Sequence, residues 1–199
     1  VQTNPATAKG EATLQRILET ATAEFAEHGF AGARIDRVAA TARINKAQVY
    51  AYVGNKERLF DTVLAASFER ITNVVPIDPE PGVVDLGDWA VRLYDEYLQR
   101  PDLIRLATWM RLERRPSGHL VPDTARMDSH KLDVIAAAQA AGTVRADADP
   151  FDVMAMVISM SMTWSPVSNV YAATAEEEEH EHQRRRTLLH DTVTRAFAP

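Results

Sequence analysis

The chain has 199 residues, 46% of them apolar, with no cysteine and a net charge of −6. That is enough apolar material for one large domain or two small ones and argues against wholesale disorder, while the missing cysteine rules out disulfides, thiolate metal ligands and thiol nucleophiles. No run approaches the roughly 20 apolar residues of a membrane span and the start lacks a charged-then-apolar signal pattern, so a soluble, cytoplasmic protein is expected.

Residues 1–8 read as a loose arm. From about Gly10 to His28, Leu14, Ile17, Leu18, Ala21 and Phe25 recur at helical spacing, and Gly29 is a natural stop. Ile35 to Thr41 makes a short helix with Ile35, Val38 and Ala39 inward. Ala42 to Ile44 is a turn, and Asn45 to Tyr52 a second short helix. Asn55 caps a fourth helix running to about Asn73 through Leu59, Phe60, Val63, Leu64 and Phe68. Pro76, Pro79, Pro81 and Gly82 mark the clearest break. Helical stretches follow at about Asp85 to Gln99, Asp102 to Glu113, Asp123 to Ala141 and Pro150 to Tyr171, the last interrupted by Pro166, which either kinks or ends it. A final helix runs from about Glu176 to Phe197. With no sustained strand alternation and no internal repeat, the chain is expected to be all-α with about nine helices.

Two short helices joined by a tight turn, with a third helix starting at once, are the plan of a helix-turn-helix DNA reader. The net negative charge argues against DNA until its distribution is considered. Between Phe30 and Phe60 six bases (Arg34, Arg37, Arg43, Lys46, Lys56 and Arg58) face two acids, Asp36 and Glu57, a local +4 that leaves −10 for the rest. A basic module on an acidic body suits a regulator whose body must not itself stick to DNA.

Within the motif, Asn45 is a good N-cap and Gln48 completes a capping-box pattern. Gln48 therefore has two readings: it reaches back to its own helix end, or its amide pairs with an adenine edge. Asn45 and Lys46 sit at the helix end that points into the groove, within reach of a base or a phosphate. Tyr50 and Tyr52 cannot share one helical face, while Val49 and Val53, four apart, form the better inward pair. At least one tyrosine is thus exposed, and a phosphate contact by Tyr50 is expected over an aromatic simply packed part-way into the core. Lys56 follows the Asn55 cap, where the helix dipole disfavours a cation by a few tenths to about 1 kcal/mol. A cost without a local gain points to a phosphate, which the free N–H groups of that helix end would also attract.

Residues from about Arg16 to Phe60 resemble the N-terminal domain of the TetR family of transcriptional repressors. The landmarks are Phe25 with Gly29-Phe30, Ile35 with Val38-Ala39, the pair Tyr50 and Tyr52, and Asn55-Lys56-Glu57 with Leu59-Phe60. The resemblance implies an all-helical homodimer on a palindromic operator, phosphate contacts from Tyr50, Tyr52 and Lys56, and base contacts from the second helix of the motif. It divides the chain into a DNA-binding domain, 9–55, and a helical ligand-binding and dimerisation domain, 56–199. Three positions depart from the family pattern. Ala33 replaces the usual capping hydroxyl, a loss of about 1 kcal/mol; Arg43 stands where glycine is usual, and Val53 where an aromatic is usual. Arg43 is expected to supply a replacement phosphate contact, and Arg34 completes the candidate DNA-binding set.

Beyond Phe60 the resemblance is one of layout. Leu106, Trp109, Met110, Met127 and Ile135 are candidates to line a ligand cavity, with Met160 and Trp164 from a methionine-rich helix; plain core is the competing reading of such a stripe. Ile158, Met162, Leu188, Leu189, Val193 and Phe197 supply more apolar positions than one protomer is expected to need, and family members pair through the corresponding two helices. The run from Glu176 to His182 tempts a metal reading, but acids are favoured at a helix start and Arg184, Arg185 and Arg186 can pair with them, so a solvated, self-paired helix start is expected and no metal or cofactor. The six histidines form no recognisable catalytic motif, so an enzyme is not expected. The function read from the sequence is a homodimeric repressor released from operator DNA by an unknown small molecule. The rivals are an activator or ligand-independent regulator of the same fold, a helical interaction module and an all-α enzyme.

Overall fold

The computed structural model describes residues 8–78, 84–120 and 129–199, with side chains outside 68–74. Among the described residues the protein is all-α, as expected, with nine helices: α1 (Ala8–Gly32), α2 (Ile35–Thr41), α3 (Lys46–Val53), α4 (Lys56–Val74), α5 (Leu86–Gln99), α6 (Pro101–Glu113), α7 (Ser129–Ala140), α8 (Pro150–Ser161) and α9 (Glu179–Phe197). The arm expected at 1–8, apart from Ala8, the loop residues Pro79, Pro81 and Gly82, and the first part of the helix expected from Asp123 lie outside the described residues.

Two compact units are formed, Val1–Arg70 with Arg105–Leu120, and Ile71–Ile104 with Val121–Pro199. The first contains the whole 9–55 stretch together with 56–70 and 105–120. In its core, Ile17, Ala21 and Phe25 recur every four residues along α1 and meet Val38 and Ala39 of α2, Val49 of α3 and Leu59, Phe60 and Val63 of α4. Burial of each large apolar side chain contributes about 1.5–3 kcal/mol. That is what holds α2 and α3, which are too short to persist alone. Phe25 meets Phe60 edge-on at 4.9 Å between ring centroids, and Phe30 lies 5.2 Å from Phe60.

The stop expected at Gly29 is a break inside α1, with φ 65° and ψ −179°, a backbone region essentially reserved for glycine. A Cβ at Gly29 would lie 2.8 Å from the ring of Trp109. The turn after the break is capped from α6: the Glu113 carboxylate accepts the N–H groups of Phe30 (2.7 Å) and Ala31 (3.3 Å).

The second unit is organised on α5, whose Trp89, Ala90, Leu93 and Tyr94 pack with Ile135 of α7, Val153 and Val157 of α8, and Leu189, Val193 and Phe197 of α9. Asp85 caps α5, and Asp149 with Pro150 starts α8. α5 approaches α9 so closely at Gly87 that a Cβ there would meet Thr194 Oγ1 at 2.5 Å. The helix expected over Pro150 to Tyr171 is shorter than the sequence indicated. α8 ends at Ser161, and Pro166 lies in a turn beyond it, since proline lacks the N–H and steers its predecessor away from helix. α9 likewise begins at Glu179 rather than near Glu176.

Candidate nucleic-acid interface

The reading head is fixed from α1. Arg34 is the N-cap of α2 but makes no side-chain cap, and Ala33 beside it is buried. Glu24 accepts Arg34 N–H at 2.7 Å and Arg37 Nε at 2.9 Å. Burial raises the Glu24 pKa, but the hydrogen bonds from Arg37 and Arg34 outweigh it and hold the carboxyl below the ordinary glutamate value. Glu24 thus ties the entry to α2 onto α1 through the N–H that precedes the helix and through the Arg37 side chain, while the first-turn N–H groups that a hydroxyl at position 33 would accept receive no side-chain cap.

Between α2 and α3 the chain turns through Arg43 at φ 56°, the only left-handed non-glycine residue among those described. Arg43 N–H bonds Ala40 O (3.2 Å) and Ile44 N–H bonds Ala39 O (3.0 Å), the pairing of a Schellman helix end whose left-handed position favours glycine. The Arg43 side chain is exposed.

α3 starts with the expected capping box: Asn45 Oδ1 accepts Gln48 N–H at 2.8 Å, and Gln48 Oε1 accepts Asn45 N–H at 3.1 Å. Of the two readings of Gln48, the reach back to its own helix end is the one realised in the free protein, which leaves its NH2 group for a base edge. Lys46 Nζ bonds Asp36 Oδ2 at 3.0 Å, linking α3 to α2 with both groups exposed; the Asp36 hydrogen bond raises the lysine pKa. Val49 is sealed in the core, Tyr50 is 38% exposed, and Tyr52 and Val53 are partly buried against the core. Ala47 and Ala51, which sequence reasoning passed over, are also exposed. Spaced four apart, they give that part of α3 a surface of small side chains.

At the start of α4 the Asn55 side chain accepts Arg58 N–H at 2.8 Å, the expected cap. Lys56 is not without a local partner: its ammonium lies 4.8 Å from the centroid of the Phe30 ring, a cation–π contact of about 0.5–1 kcal/mol at an exposed site. The dipole cost of a cation at this position is thus offset locally by Phe30, and Lys56 stands at the N-terminus of α4. Arg34, Arg43, Asn45 and Lys46 are exposed along α2, the turn and the first turn of α3.

The candidate ligand residues are divided. Leu106 and Met110 are buried in the core of the first unit, and Trp109 beside them donates Nε1–H to Ala26 O at 3.3 Å. Ile135, Met160 and Trp164 pack in the second unit, and Met127 lies outside the described residues. Of the apolar residues expected in pairing, Leu189, Val193 and Phe197 are buried in their own unit, whereas Leu188 is 55% exposed. The run at the start of α9 is self-paired, with Glu177–Arg185 at 2.7 Å and Glu179–Arg186 at 2.6 Å, but His182 and Arg185 are buried rather than solvated.

Residues 17–63 match the family model for bacterial regulatory proteins of the tetR family, and residues 85–195 match that for the tetracyclin repressor-like C-terminal domain. The chain belongs to the TetR family. It is 40% identical over 161 residues, 79% of its length and 80% of the other's, to the HTH-type transcriptional repressor SCO4008 of Streptomyces coelicolor. With the HTH-type transcriptional repressor NicS of Pseudomonas putida it shares 27% identity over 146 residues, 70% of this chain and 69% of NicS. Its fold is similar to that of the transcriptional regulator SCO4942 of Streptomyces coelicolor, with a TM-score of 0.75 and 34% identity over 93% of this chain and 98% of that one. These TetR-family relatives are regulators of transcription, and the helix-turn-helix described above lies within the matched N-terminal segment. No helix among the described residues is long and apolar enough to cross a membrane.

Proposed function

We propose that the protein is a cytoplasmic, homodimeric repressor that binds a palindromic operator and is released from it by a small molecule. The observation that carries the reading is the outward side of α3, where Asn45, Lys46, Ala47, Tyr50 and Ala51 are exposed on a helix fixed by its capping box and by Val49 in the core. Arg34, Arg43 and Lys56 provide cations on the flanking elements for phosphates, which set register, while Asn45 and Gln48 address base edges. Pairing through α8 and α9 suits this role, because a two-fold dimer presents its two reading helices about one DNA turn, roughly 34–36 Å, apart. A ligand in the C-terminal domain then favours a conformation whose reading helices no longer match that spacing. To change occupancy substantially it must discriminate the two states by several kcal/mol. We read the protein as having no catalytic role.

The test is Tyr50→Ala and Lys56→Ala, each compared with the parent chain in duplex binding and in thermal unfolding. Loss of DNA binding with the fold retained supports the reading. Unchanged DNA binding in both variants contradicts it and favours an interaction module.

A further inference from the structure

The stripe of α9 that buries Leu189, Val193 and Phe197 continues toward the helix start through Arg185 and His182, so two polar side chains occupy core positions. His182 is 3% exposed and Arg185 is 5% exposed. His182 Nδ1 lies 2.8 Å from the Tyr94 hydroxyl of α5. The Arg185 guanidinium donates from Nη2 to Glu177 Oε2 at 2.7 Å. When the Tyr94 hydroxyl donates to His182 Nδ1, the ring hydrogen of His182 lies on Nε2. Beyond the end of α8, Trp164 packs edge-on against Tyr94 with centroids 5.8 Å apart, and Ser165 beside it is 4% exposed.

Three polar atoms of this group, Arg185 Nη1, His182 Nε2 and Ser165 Oγ, are buried with no hydrogen-bond partner among the described residues. Buried polar groups are ordinarily paired, because leaving them unpaired costs stability. Arg185 Nη1 can only donate, His182 Nε2 donates when Nδ1 accepts from Tyr94, and Ser165 Oγ can donate, so a group that only accepts complements all three. Glu177 already balances the Arg185 charge at Nη2, which leaves the Nη1 edge for a second acceptor. The surroundings are aromatic, with Tyr94, Trp164 and the Tyr171 ring 5.3 Å from Arg185 Cζ. A small planar acid matches both features: a carboxylate offers about four acceptor positions on two oxygens, and its ring meets the aromatic walls.

We propose that Arg185, His182 and Ser165 form a binding site for the carboxylate of a small aromatic acid, which acts as the effector if the ligand-release reading above holds. The test is calorimetric titration of the purified full chain with benzoate and phenylacetate, and with benzamide and phenylacetamide as neutral counterparts. The acids are expected to bind saturably and at least 10-fold more tightly than the amides. Ser165→Ala and His182→Gln are each expected to weaken acid binding about 3- to 10-fold. Ser165→Ala should leave the melting temperature of the unliganded protein at or above that of the parent chain, since it removes a buried hydroxyl without a partner. Equal binding of acids and amides, no saturable heat with either acid, or full acid affinity in both variants overturns the proposal. So does a crystal soaked in benzoate that shows only ordered water on these three atoms. Acid binding that leaves DNA affinity unchanged keeps the site and overturns ligand release. DNA release by a neutral or cationic compound, with no acid binding, does the reverse.

Discussion

Arg43 holds the helix-turn-helix together from an unfavourable backbone conformation. A left-handed non-glycine residue costs roughly 1–2 kcal/mol, partly offset here because glycine would lose more entropy on folding, about 0.5–1 kcal/mol. Arg43→Gly is therefore expected to stabilise the protein by about 0.5–1 kcal/mol, a rise of roughly 1–4 °C in melting temperature. If the exposed guanidinium meets a phosphate, the same variant binds DNA more weakly and lowers the salt slope by about one unit. A stabilised variant with unchanged DNA affinity and slope would show that Arg43 is only a turn residue. Glu24 makes a second residue-scale case. Its folded pKa lies below the ordinary glutamate value, so its stabilising contribution is present above that value and is lost as pH falls through it to the folded value. Glu24→Gln is expected to cost about 1–2 kcal/mol at neutral pH and to flatten the acid limb of the stability profile. An acid limb identical to that of the parent chain counts against this role. The departures at Ala33 and Arg43 are legible in the sequence; the Glu24 tie to the entry of α2 is not, because ten residues and a turn separate it from the N–H it accepts.

Among the elements, the sharpest dependence is on the break in α1. Gly29→Ala meets both a backbone region closed to alanine and the ring of Trp109, for an expected loss of about 2–4 kcal/mol. Chemical denaturation measures it, and a loss below about 1 kcal/mol would mean that α1 and Trp109 readjust freely. The helices themselves could be read from periodicity because each buries one face, and the capping box, the Asn55 cap and the α1 stop are encoded within a few residues. What periodicity could not supply is which core a stripe joins. The spacing of Leu106, Trp109 and Met110 does not disclose that Trp109 lies on Gly29 and Ala26, 80 and 83 residues away in sequence. Nor does a lysine at a helix start disclose that Phe30 lies under it. The burial of His182 and Arg185 did have a local signal: extending the stripe from Leu189 backward by four and seven residues lands on both. Their charge made the segment read as a solvated face.

At the scale of the whole molecule, charge and exposed apolar surface divide the work expected of a regulator. On the proposed reading, the +4 between Phe30 and Phe60 is the part that would meet phosphates, and the −10 elsewhere would keep the remainder off DNA. With Leu189, Val193 and Phe197 buried in their own unit, pairing through the last two helices has to draw on other side chains. Leu188 of α9 and Met156 and Phe151 of α8 are the large apolar ones left exposed there. Leu188→Glu is expected to shift the protein toward monomer in analytical ultracentrifugation and to lower DNA affinity at least 10-fold, since each monomer then binds one half-site alone. A dimer of undiminished strength would place the pairing surface elsewhere. The most direct test of the central claim is selection by the purified full chain from a random duplex-DNA library, with the affinity of the selected sequence followed against salt. Enrichment of a palindrome whose half-sites lie about one helical turn apart, bound with a steep salt slope, is the expected result. A folded, dimeric sample that enriches no sequence would contradict the reading of this protein as an operator-binding repressor.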